Sequence, residues 1–204
     1  MRKSAVVTAV LIAAAASLAG AQGFGLSTTA LVGAGETGFD SGIKASGSLD
    51  GAYAAKPGAP GNPRSFPFSW SNLPTGTKAL ALVLDDPDAR LVLAAYGMKG
   101  DAFLHWIAAD IDPGLGGLGD NASATAAFPQ GKNGAGTIGY TGPQPPTDLP
   151  KEVQGRRIHV YRLKVFALSS PTGLKNGFSL DELLAAVKGR TLGTAELDLS
   201  YSNQ

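Results

Sequence analysis

The chain has 204 residues, 44% of them hydrophobic, which suits one domain with a real core. Its 17 basic and 16 acidic residues nearly balance, and so give no support to nucleic-acid binding. It has no cysteine, which excludes disulfides, thiol catalysis, thiolate metal sites and a thioether-linked lipid anchor.

The first segment reads as a leader rather than as part of the fold. Arg2 and Lys3 precede an apolar run, and Ala19-Gly20-Ala21 supplies a small-x-small cleavage site. The run from Ala5 to Ala21 is short for a membrane span and rich in alanine. Residues 1–21 are therefore expected to be removed on export, to the periplasm or outside the cell. Residues 22–204 would form a single domain with no transmembrane span. With Arg2 and Lys3 gone, 17 basic residues less two face 16 acids, a net charge of −1.

Residues 22–50 are rich in glycine, serine, threonine and alanine. "GAGETG" (33–38) matches G-x-G-x-x-G, but it lacks the strand before and the helix after that a nucleotide site needs. It reads as a glycine-rich turn. "KPGAPGNPRSFPFSW" (56–70) is a proline-rich loop running into a short apolar segment. A strand is predicted over Ala79–Leu84, stopped by Asp85-Asp86-Pro87-Asp88. "AFLHWIAADI" (102–111) is a second strand and "RRIHVYRLKVFALS" (156–169) a third. Between them, "GTIGYTGPQPP" (136–146) is a Gly/Pro loop. One helix is predicted. Ser179 and Glu182 make a capping box, Leu180, Leu183, Leu184 and Val187 follow at helical spacing, and Gly189 is the stop. "TAELDLSYS" (194–202) closes the chain as an alternating strand. The fold class is mainly β: a single-domain antiparallel β-sandwich with a short C-terminal helix and long Gly/Pro-rich loops.

The two histidines of the chain, His105 and His159, both fall on predicted strands among apolar or aromatic neighbours. Strict alternation places Phe103, His105 and Ile107 on one face, and His159, Tyr161, Leu163 and Val165 on another. Val160, Arg162 and Lys164 take the opposite, partly solvated face. Pro87 pins the turn that carries Asp86 and Asp88. Asp86, next to the strand, is expected to point inward, and its loss to cost more stability than that of Asp88.

"LDDPDA" (84–89), "HW" (105–106), "GYTGPQPP" (139–146) and "HVY" (159–161) occur in that order. They resemble the signatures of the phosphatidylethanolamine-binding protein family, in particular its bacterial Raf kinase inhibitor-like branch. The resemblance spans about half the chain. It implies a β-sandwich with a small pocket for anionic groups such as phosphate. By matching positions, Asp86, Asp88, His105, His159 and Tyr161 would line that pocket, with Gly142, Gln144 and Pro145 of the 142–146 loop on its rim. Trp106 and Phe68 could supply apolar wall. The chain departs from the pattern at Arg90, where proline is usual, and at Val160, where arginine is usual. Arg90 could replace the charge lost at position 160. The segments 91–101 and 147–158 also differ from the family's usual spacing.

The expected function is binding of a small anionic or phosphate-bearing ligand, without catalysis, cofactor or metal. Two alternatives stand beside it. One is inhibition of a peptidase or another envelope protein. The other is an enzyme in which Asp86, His105 and His159 hold a metal or act as acid and base.

Overall fold

The computed structural model describes residues 23–55, 64–146 and 158–203. The expected leader, the proline-rich run 56–63 and most of the 147–158 segment lie outside the described residues.

The fold is mainly β, built from two sheets. The larger has six strands: β2 (Leu31–Ala34), β3 (Gly47–Leu49), β5 (Ala79–Asp86), β6 (Phe103–Ile111), β8 (Ile158–Leu168) and β9 (Thr191–Ser202). Their order is β2-β3-β9-β8-β5-β6, antiparallel throughout except for β3 beside β9. The smaller sheet runs β1 (Gly25–Ser27), β4 (Phe68–Ser71), β7 (Gly117–Leu118).

The apolar run of β5 is buried on both sides, and its alternation explains why. Leu80, Leu82 and Leu84 meet Tyr161, Leu163 and Val165 of β8 and Phe68, Trp70 and Leu118 of the small sheet in the inner core. Ala79, Ala81 and Val83 face outward, under α2 (Leu180–Val187), where Leu183 and Val187 cover them with Phe178. Burying each of these two helix side chains stabilises by about 1.5–3 kcal/mol. The predicted capping box of α2 is present, with Ser179 and Glu182 bonded reciprocally. Gly189 follows at φ +77, a stop that only glycine takes without strain.

Two parts of the fold depart from the sequence reading. The glycine-rich 22–50 region carries three short strands, β1 to β3, rather than only turns. A second helix, α1 (Ala89–Ala95), follows the Asp-Asp-Pro-Asp turn. Its alanines, leucines and arginine are good helix formers, and the Asp86 carboxylate accepts the Ala89 N–H at its start.

The two edges of the large sheet differ. β6 is covered by the 129–141 segment, which bonds to it through Ala109 N–H to Pro129 O (3.0 Å), Gly131 N–H to Ile107 O (3.0 Å), Gly134 N–H to Leu104 O (2.7 Å) and Thr141 N–H to His105 O (2.9 Å). The Asn133 side chain holds that segment in shape through Thr137 and Gly139. β2, at the other edge, is exposed along its length.

Candidate ligand-binding site

The site begins with a break in a strand. Leu84 of β5 pairs with Trp106 of β6, yet Asp85, one step on, pairs with Leu104. One step on β5 thus spans two on β6, and His105 is the extra residue of a β-bulge. A bulge re-aims the side chains around it. Trp106 faces the inner core while Ile107 joins the outer one, and His105 packs against Phe103 and Tyr161, at ring-centre distances of 4.9 and 5.0 Å. The expectation that Phe103, His105 and Ile107 share a face fails at Ile107, because strict alternation does not survive the bulge.

His105 is bonded twice to one loop residue, once through its peptide carbonyl and once through its ring. Thr141 N–H donates to the His105 carbonyl, and His105 Nδ1 lies 2.8 Å from the Thr141 carbonyl. A carbonyl only accepts, so Nδ1 carries the proton and Nε2 is the ring's other nitrogen. Burial holds the His105 pKa below the ordinary histidine value, against opposing pulls from Asp86 and the Thr141 carbonyl.

The second imidazole is fixed by a carboxylate. Asp86 lies at the end of β5 and His159 near the start of β8, and His159 Nδ1 sits 2.7 Å from Asp86 Oδ2. Both are almost wholly buried, at 3% and 1% exposed. The carboxylate is doubly engaged, since Oδ1 accepts the Ala89 N–H at 3.0 Å. With Nδ1 so committed, His159 Nε2 is buried without a hydrogen-bond partner among the described residues. Phe39 packs on the ring at 5.5 Å.

These groups line a cavity of about 290 Å³. Asp86, His105, His159, Gly142 and Gln144 all reach it, five of the eight residues expected there. The opposite wall is apolar and comes from Val92 and Leu93 of α1, with Tyr96, Met98 and Phe103. The sequence reading missed this wall. The clustering of Leu91, Val92 and Leu93 directly after the turn was the signal that could have revealed it.

Three expected residues do not line the cavity. Asp88 is wholly buried and serves as a brace: it accepts from Asp40 N–H (2.7 Å), Ser41 N–H (2.7 Å), the Ser41 hydroxyl (3.0 Å) and Val160 N–H (2.8 Å). Tyr161 packs edge-on against His105 and stacks on His159 instead, and burial raises its pKa well above the ordinary tyrosine value. Its hydroxyl is buried and unpartnered among the described residues. Pro145 gives its carbonyl to the Asn203 side chain. Nor do the other suggested groups contribute. Trp106 and Phe68 are inner-core residues, with the Trp106 N–H on Gln130, and Arg90 pairs with Asp40 at 2.9 Å, away from the cavity. Among the described residues, the cavity lining thus contains no lysine or arginine.

A two-sheet β-sandwich with a histidine-floored cavity beside the end of β5 defines the class of this protein. The family model for phosphatidylethanolamine-binding protein matches residues 40–202, and the chain belongs to that family. A UPF0098 protein of Methanothermobacter thermautotrophicus is 34% identical over 137 residues, which are 65% of this chain and 79% of that protein. The crystal structure of a phosphatidylethanolamine-binding protein homologue, CT736 of Chlamydia trachomatis, aligns with a TM-score of 0.68 at 27% identity, covering 89% of this chain and 99% of that one. Escherichia coli YbcL shares the fold, with a TM-score of 0.68 at 22% identity over 90% of this chain and all of the other.

Proposed function

We propose that this protein binds a small anionic ligand, a phosphate or phosphate-bearing group, in the cavity between His105 and His159. The observation that carries the reading is the buried Nε2 of His159, without a partner among the described residues, on a ring that lines the cavity while its Nδ1 is fixed on Asp86. A buried polar atom without a partner costs stability, and a ligand atom would supply the partner. The reading is of binding rather than turnover. The proposal extends to export, supported by the leader-like residues 1–21, and mass spectrometry of the secreted protein should then find Gln22 first.

The chemistry sets a pH dependence. A neutral imidazole whose proton sits on Nδ1 presents a lone pair at Nε2, which repels an anion, and among the described residues the cavity lining offers no lysine or arginine in its place. The imidazolium presents an N–H. An anion stabilises a charged ring, and burial holds the His105 pKa below the ordinary histidine value, so by linkage anion affinity rises as pH falls through that lowered range and fades above it. Sulfate keeps its charge across that range and isolates the protein's own titration. Calorimetric titration with sulfate and phosphate between about pH 5 and 8 should show affinity strengthening toward the acid side. His105→Ala should weaken binding and flatten its dependence on pH, and His159→Gln should weaken binding. An affinity independent of pH, or unchanged in both variants, would refute the reading.

A further inference from the structure

On the opposite face of the six-stranded sheet, beside α2, lies a second concavity, of about 410 Å³. Its apolar surface comes from Val83, Phe166, Leu180 and Leu184, the last exposed to solvent at 45%. Its polar surface comes from Asp85, Arg162, Lys164 and Glu196.

The charges here do not balance. The Arg162 guanidinium is given to Asp198, at 2.8 and 3.2 Å, with Glu196 at 3.5 Å. Lys164 pairs with Glu196 at 2.8 Å. Asp85, the register partner of Arg162, makes no side-chain hydrogen bond or ion pair among the described residues. Three carboxylates thus face two cations, and the unmatched one lines the groove. Burial raises the Asp85 pKa to about 6, against the pull of Arg162 and with Asp86, Asp198 and Glu196 adding to the rise.

We propose that this groove binds a small organic cation, a primary ammonium carried on an aliphatic or aromatic body. The ammonium pairs with Asp85, and the body lies on Phe166, Leu180 and Leu184. Such a site is independent of the cavity between His105 and His159, because Asp85 and Asp86 point to opposite faces of β5.

The test titrates the full protein with phenethylammonium, followed by calorimetry and by NMR shifts, at about pH 8, where Asp85 is ionised. 2-Phenylethanol is the uncharged control. The amine is expected to bind about tenfold or more tightly than the alcohol, as a charged hydrogen bond requires. Asp85→Asn, which keeps the shape, should remove that advantage, and Leu184→Ser should weaken both probes. Binding of the amine should weaken as pH falls through about 6, as Asp85 takes up its proton. Equal binding of amine and alcohol, an amine affinity unchanged by Asp85→Asn, shifts centred on His105 instead of Leu184, or no binding at all would each overturn the proposal.

Discussion

Asp88 ties together three stretches of chain, 40–41, the end of β5 and the start of β8, through four accepted hydrogen bonds. Three of those donors are backbone N–H groups, which would lose their partner if the carboxylate were removed. Asp88→Ala should therefore cost about 3 kcal/mol or more, and Asp86→Ala, which frees one N–H and one imidazole, about 1–3 kcal/mol. Urea unfolding of the two variants measures the order, which reverses the one that chain position suggests. Asp85 behaves oppositely to both. The folded protein keeps its proton up to about 6, whereas the unfolded chain releases it near 3.8. The folded state then binds more protons between those values, so stability falls as pH rises from about 4 to 6 and stays lower above. Asp85→Asn removes that loss: it should raise stability by about 1–2 kcal/mol at neutral pH and change nothing in strong acid. Unfolding curves at the two extremes decide it.

Among the elements, α2 is the one whose ends are written most plainly in the sequence. Ser179→Ala should cost about 1 kcal/mol through loss of the cap, visible as a lower melting temperature with sulfate affinity unchanged. β5, β6, β8 and β9 were legible for a similar reason, since each is long and carries a sustained apolar or alternating pattern. β1 to β3 were not, because three or four residues are too few to show a period. α1 hid behind the aspartates of the preceding turn. The site was legible in its parts and not in its geometry. Asp86, His105, His159, Gly142 and Gln144 converge as the ordered motifs implied. The bulge at His105 could not be read, because counting by twos assumes an unbroken ladder. Nor could the work of Asp88 be seen, since its partners lie 47 to 72 residues away in the chain.

At the scale of the whole molecule, β9, last in chain order among the described strands, stands inside the large sheet. β9 pairs with β8 along its length on one side and with β3 on the other, Gly47 against Leu199 and Ser48 against Ser200. β2 and β3 reach the rest of the sheet only through it. A chain ended at Arg190 should accordingly show no cooperative unfolding transition by circular dichroism, even though β5, β6 and β8 are intact. During synthesis the same arrangement means that the early β2–β3 hairpin has to wait, unmoored, until Thr191–Ser202 has left the ribosome. Throughout that interval the edge of β8 lies bare, so the nascent protein is at its most vulnerable to chaperone capture or mispairing while β9 is still being made.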